Sequence, residues 1–275
     1  MPSDSPNSTP NNALIRLTEK VGQGTIGAIE VFGHWGVLIG ESFYWLFMGP
    51  RLKQPVRVNA VFAQMMEVGI RAIPIVALLS ATIGIMLAIQ GIHTLKTFGA
   101  ESRVVVGISL SVVREFSALI TGILVAGRSG SALAARLSTM QINQEIDALR
   151  VMGINPVRYL VVPSLVAMMV MLPSLTFLSD VVALYAAGLF VSYDLGISQA
   201  AYWSQTIDIL SIGDLWHGLG KASIFAMLIT LIGIVNGASV TGGAEGVGKV
   251  TTRAVVQAIC AIVVTDMLFA FVVTR

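Results

Sequence analysis

Arg114 and Glu115 stand side by side in the middle of an apolar run, Val104 to Gly127. A guanidinium in such a place can grip a phosphate through paired charge-assisted hydrogen bonds, and a carboxylate can carry a proton or answer a buried cation. Arg114 lies about ten residues from either end of the run, about 15 Å deep at about 1.5 Å of rise per residue. An ionisable group at the bilayer centre costs about 2.5–3.5 kcal/mol to insert, so it must face the bundle interior, a cavity or a partner. Asp180 and Asp266 occupy other apolar runs and are candidates to neutralise it, whereas Lys221 falls near a span end and can snorkel. Two roles stay open: a buried ion pair that fixes helix register, or a grip on a charged substrate. Adjacent helical residues point about 100° apart, so Arg114 and Glu115 cannot serve one small contact.

A second concentration of polar chemistry is the stretch Ala126 to Pro163, which carries Arg128, Arg136, Arg150 and Arg158 between two long apolar runs. Ser131 to Met140 has helical composition, and Ile142, Ile146 and Leu149 recur at i, i+4 and i+7 on one face. Asn143, Gln144, Glu145, Asp147 and Arg150 take the other face, and Gly153 and Pro156 supply a stop. Such a helix across the cytoplasmic surface can dock into a groove on a partner; the alternative is a loop helix that packs under the bundle.

Nucleotide chemistry is not supported on this chain. Gly22-Gln-Gly24-Thr-Ile-Gly27 matches a dinucleotide fingerprint, yet no strand precedes it. Gly243 to Lys249 approaches a phosphate loop, but Val250 stands where Ser or Thr must hold magnesium. This chain is therefore not expected to bind ATP itself, any energy source must be another subunit, and no cofactor or metal is expected here. His34, His93 and His217 show no ligand spacing, Cys260 has no partner cysteine, and a net charge of +2 gives no nucleic-acid surface.

These residues need an apolar scaffold, and composition supplies one. With 55% hydrophobic and 12% charged residues and a mean hydropathy of +0.81, the chain reads as an all-α integral membrane protein. Four runs approach the roughly 20 residues of a spanning helix: Ile73 to Ile92, Val104 to Gly127, Leu215 to Val240 and Ala254 to Val273. A fifth, Tyr159 to Tyr193, contains Pro163, Pro173 and Asp180 and fits one long bent helix or a helix plus a re-entrant piece. Residues 1–12 are expected to be a disordered tail without a secretion signal. Residues 13–55 are expected to form an amphipathic interfacial region flanked by Trp35, Tyr44 and Trp45, with a sixth span as the alternative. Placing the basic clusters on one side puts twelve of the 17 Lys and Arg in the cytoplasm, which predicts five crossings with a cytoplasmic N-terminus and an external C-terminus. Gly233-Ile-Val-Asn-Gly237 allows close helix contact, within the bundle or across a dimer.

Several motifs, in order, resemble the MlaE permease family. They are Arg114-Glu115-Phe116; Val125-Ala126-Gly127-Arg128-Ser129-Gly130-Ser131-Ala132; Glu145-Ile146-Asp147-Ala148-Leu149 with Met152-Gly153-Ile154-Asn155-Pro156; and the tail from Asn236-Gly237 through Gly242 to Gly248 and Thr251 to Val256. The likeness covers roughly residues 56–275. It implies a homodimeric ABC-type permease of the bacterial inner membrane that moves phospholipid to or from periplasmic carriers and so supports outer-membrane asymmetry. By the same resemblance its partners are a cytoplasmic ABC ATPase, a STAS-domain subunit and a periplasmic ring of MCE-domain proteins. Arg114 and Glu115 would line the lipid cavity. A cytoplasmic coupling helix between spans two and three would meet the ATPase through Gln144, Glu145, Asp147, Leu149, Arg150 and Met152. The sequence departs from the family in two places: Ser117-Ala118 replaces a common Gly-Pro, which predicts a straighter span, and Gln144-Glu145 stands where an acidic-then-amide pair is usual. A second class of function is a proton-coupled secondary transporter using Glu115, Asp180 and Asp266 as a relay. An intramembrane lipid enzyme has less support, because no nucleophile and base fall at recognised spacing.

Overall fold

The computed structural model describes residues 33, 35–49, 51 and 56–273. The expected tail 1–12 lies outside these, as does most of the 13–55 region. Among the described residues there are helices and no strands, and five helical stretches are long and apolar enough to cross a membrane: Val58–Thr97, Glu101–Ile142, Val157–Leu195, Ile212–Ala238 and Ala244–Val272. Leu, Ile, Val and Ala dominate each of them, and in lipid only a helix satisfies every backbone group of such a segment internally.

A short helix α1 (35–48) precedes the first span. It is tied to the start of span three, where Asn155 Nδ2 donates to Glu41 Oε1 at 2.8 Å and the Arg158 guanidinium lies 5.3 Å from the Trp45 ring centre. Span one is α2 (Val58–Val68), a 3₁₀ turn and α3 (Ile73–Thr97). Span two is segmented: α4 (Val104–Ser111), a π turn Val112–Phe116, α5 (Ser117–Val125), a second π turn Ala126–Gly130, and α6 (Ser131–Ile142). A short α7 (Glu145–Val151) and a third π turn, Val157–Val161, lead into α8 (Val162–Leu195). The run read as either one bent helix or a re-entrant segment is thus one continuous 34-residue helix. Pro173 lies inside it, and the hydroxyls of Ser174 and Thr176 bond carbonyls one turn back. An outer helix α9 (Gln199–Ile209), with Ser198 capping Ala201 N–H at 3.2 Å, precedes α10 (Ile212–Ala238) and α11 (Ala244–Val273). Tyr202 of α9 is fully buried under α8, and burial pushes its phenol up to about 12.

Small residues bring the helices together. Between α3 and α8, the Ser80 and Ser179 hydroxyls bond at 2.7 Å, and Gly84 lies so close to the Ala183 carbonyl that a Cβ would overlap it. The Gly233/Gly237 pair faces α6: a Cβ on Gly237 would meet Ala134 O at 3.0 Å and Leu137 Cβ at 2.8 Å. The GxxxG pattern therefore packs within the bundle. Phe225, Ile229 and Ile262 fill the core between α5, α10 and α11.

The polar stretch after span two is organised differently from its apolar periodicity. Ser131–Ile142 continues the spanning helix, so Arg128 and Arg136 belong to the bundle wall and not to a surface helix. The break falls at Asn143-Gln144, where Gln144 adopts a left-handed conformation at φ 58°. Ile146 and Leu149 are buried as the periodicity requires, but Ile142, on the other side of the break, is 39% exposed. The Ser117-Ala118 departure does not leave a regular α-helix either, because a π turn ends at Phe116.

Candidate functional site

The π turn Val112–Phe116 sets Arg114 and Glu115 against α10. A π turn holds one residue more than an α turn, and such turns concentrate at functional sites. Gly218 makes room for it: a Cβ there would collide with the Val113 carbonyl, so α10 approaches the turn as closely as a helix can.

The two charges go to different partners, as their angular separation demands. Arg114 Nε donates to Asp214 Oδ1 at 2.5 Å, and Nη2 lies in ion-pair contact with the same oxygen at 2.5 Å. The other carboxylate oxygen of Asp214 accepts from Ser211 N at 2.9 Å and Ser211 Oγ at 2.8 Å, in a capping box that starts α10. Asp214 is buried and anchored by its own helix, while the Arg114 side chain is 46% exposed. This arrangement holds a guanidinium with its outer face available to an anion. Glu115 pairs with Lys221 Nζ, which also lies 2.7 Å from Asp266 Oδ1. Lys221 is 0% exposed. Two carboxylates from spans two and five thus clasp one ammonium from span four.

Three expectations need correcting. Arg114 is neutralised by Asp214, not by Asp180 or Asp266. Because Asp214 is in the first turn of α10, Arg114 is level with the N-terminal end of span four and not with its centre. Lys221 does not snorkel: it is nine residues into α10 and completely enclosed, so it is the most deeply buried charge among the described residues. Asp180, buried on α8, faces Ser117 instead, and its Oδ1 has no hydrogen-bond partner among the described residues. Asp214 is absent from the sequence-based candidates, although Ser211-x-x-Asp214 is a capping signature visible in the sequence. Lys221 had no such signal, since its environment comes from three different spans.

At the other end of span two, α7 brings together the expected coupling residues. Asn143 Nδ2 donates to Glu145 Oε1 at 3.2 Å and Arg150 Nη1 to Asp147 Oδ1 at 2.9 Å. Leu149 is buried with Ile146 and anchors the helix, so it faces the bundle and not outward. Gly153, at φ 73°, closes α7 by donating to Arg150 O, and Ile154 N–H donates to Leu149 O. Val151 and Met152 project outward at 88% and 65% exposure. Gln144, Glu145, Asp147 and Arg150 surround them on the exposed side. The helix is rigidly seated yet presents an apolar tip ringed by charge. Among the described residues no group of His, Cys, Asp and Glu is arranged to hold a metal.

Comparison with known proteins gives this geometry a family. A probable ABC transporter permease protein of Rickettsia typhi is 30% identical over 255 residues, covering 93% of this chain and 96% of its own length. The chloroplastic protein TRIGALACTOSYLDIACYLGLYCEROL 1 of Arabidopsis thaliana is 32% identical over 219 residues, or 80% of this chain and 63% of that protein. The intermembrane phospholipid transport system permease protein MlaE of Haemophilus influenzae is 28% identical over 248 residues, covering 89% and 92% of the two chains. The family model described as Permease MlaE matches residues 61–272, which include all five spans nearly whole, the charge cluster and α7: the chain belongs to the MlaE permease family.

Proposed function

We propose that this protein is the membrane-spanning permease subunit of an ATP-driven phospholipid transporter. It moves lipid between the inner membrane and periplasmic carriers and so supports outer-membrane lipid asymmetry. The observation that carries this reading is the half-exposed Arg114 guanidinium held on Asp214 in the first half of span two, with the exposed tip of α7 beyond its far end. The first offers a donor fork for a headgroup phosphate. The second offers a grip for a motor. Family membership supports the same assignment, since the Haemophilus relative is named for phospholipid transport.

In this reading a cytoplasmic ABC ATPase docks on Gln144, Glu145, Asp147, Arg150 and Met152, and hydrolyses ATP with magnesium on its own residues. A STAS-domain subunit and a periplasmic MCE-domain ring complete the assembly. Two copies of the permease pair across the membrane, and the outward apolar side chains of α11, including Val264 and Met267 at 53% and 61% exposure, give either lipid or the second copy a surface to cover. The N-terminus then lies in the cytoplasm and the C-terminus outside. Motion of α7 would reach the Arg114 end through span two, a helix segmented by two π turns that changes state only if its contacts differ between the two states. A proton relay through Glu115, Asp180 and Asp266 fits less well, because Lys221 engages the first and last while Asp180 faces Ser117.

The test is reconstitution of the purified complex in liposomes carrying a fluorescent phospholipid. ATP-dependent delivery to an acceptor carrier is expected. Full transport by the permease alone, driven by a proton gradient without an ATPase, would replace this reading with the secondary transporter.

A further inference from the structure

A second set of charges lies far from Arg114, on the α7 side of the bundle. Between α2, α6 and α8 there is a cavity of about 120 Å³ whose polar wall is Gln64, Glu67, Arg128, Arg136 and Ser164. Its floor is apolar, made by Val68, Leu133 and Met168. Arg128 and Arg136 are 14 and 22 residues beyond Arg114, about 20 and 30 Å along span two.

The two guanidiniums bring more donors than the surrounding protein accepts. Arg136 Nη2 donates to Ser164 Oγ at 3.2 Å, and the Gln64 amide oxygen, turned toward Arg136, accepts from its Nη1. Arg136 Nε is buried and has no acceptor among the described residues. Among the described residues Arg128, which is partly exposed, reaches only the Glu67 carbonyl oxygen, at a long 3.4 Å, and keeps donors to offer. A buried donor such as Arg136 Nε requires an acceptor. Glu67 is the one carboxylate on the cavity wall, so two guanidiniums against one acid leave the wall positive. Outside it, Phe62 and Met66 of α2 are 61% and 52% exposed on the face of a spanning segment, where acyl chains run.

We propose that this cavity binds the phosphate of a glycerophospholipid headgroup in the leaflet on the α7 side, with Arg128 and Arg136 as its donors. Phosphate recognition follows from the donor surplus alone; that the phosphate belongs to a lipid rests on the function proposed above. The permease then has two headgroup stations on one helix, and the inner one borders the segment that the ATPase would move.

The experiment places a photoreactive benzophenone amino acid at Ala132, on the cavity wall, and in a second protein at His217, whose ring feels the charges of Arg114 and Asp214. Each full-length protein is purified in maltoside detergent and irradiated with phosphatidylglycerol or with diacylglycerol of the same acyl chains, and adducts are read by mass spectrometry. Phosphatidylglycerol is expected to label position 132 and diacylglycerol to fail. Arg128→Gln should cut that labelling about tenfold, the loss of one charge-assisted hydrogen bond, with labelling at position 217 unchanged. Arg136→Lys, which keeps charge but loses the fork, should reduce it as well and guards against a folding artefact in the first variant. Equal labelling by diacylglycerol overturns phosphate recognition, and equal competition by inorganic phosphate overturns the lipid as its source. Labelling at 217 without labelling at 132 sinks this inference and leaves the transport function standing. Failure at both positions removes the two together.

Discussion

Replacing Lys221 by Met keeps the length of the side chain and deletes its charge, which makes it the sharpest probe of the bundle's centre. In the wild type the ammonium is wholly enclosed and touches Glu115 and Asp266, whose side chains are 36% and 16% exposed. Removing one partner of a buried ionic group leaves an uncompensated charge and costs about 3–5 kcal/mol. Glu115 can recover some hydration through its exposed third, which lowers the expected cost to about 2–3 kcal/mol. For a chain of this size that corresponds to a fall of about 5–10 °C in Tm, readable by fluorescence-detected thermal unfolding in detergent. The triple variant Lys221→Met, Glu115→Gln, Asp266→Asn removes all three charges at nearly constant volume and should recover most of the loss. Two results would refute the reasoning: Lys221→Met as stable as the wild type, or a triple variant that loses the sum of its parts. Either would mean that the three residues do not form one electrostatic unit.

Other perturbations separate packing from function. Gly218→Val drives a side chain into the Val113 carbonyl and should cost about 1–3 kcal/mol, whereas Gly107→Ala, with open space around its Cα, should gain about 0.5–1 kcal/mol in the same melt. Gln144→Gly relieves a left-handed residue and should not lower Tm, while Gln144→Val should lose about 1–2 kcal/mol there. Val151→Asp with Met152→Asp should leave Tm unchanged, because both side chains are exposed, yet reduce ATPase co-purification by about tenfold. Arg114→Ala should assemble normally, since its side chain is half-exposed and Asp214 keeps its own cap, but slow phospholipid transfer; unimpaired transfer would remove Arg114 from the mechanism.

The five spans were legible because about 20 apolar residues in a row admit one structure in lipid. So were the separate fates of Arg114 and Glu115, which follow from helical geometry. What the sequence concealed was set by neighbours distant along the chain. Lys221 lies near the edge of an apolar run in one dimension, but in space it is surrounded by spans two, four and five. Periodicity also misplaced the start of the short helix: Ile142, Ile146 and Leu149 keep helical spacing in the text, and the left-handed turn at Gln144 interrupts it without a glycine to announce it. The π turns leave no compositional trace, because an inserted residue looks like any other.

Those wide turns give span two an unusual mechanical property. The surplus residue in each can be handed along the backbone by exchanging one set of hydrogen bonds for the next, and every step turns the residue it crosses by about 100° while both flanks keep their register. With one such joint at Val112–Phe116 and another at Ala126–Gly130, the segment between them can swivel like an axle between two bearings while its ends stay fixed. A torsional movement of that sort would re-aim Arg114 without lengthening the protein or opening its core.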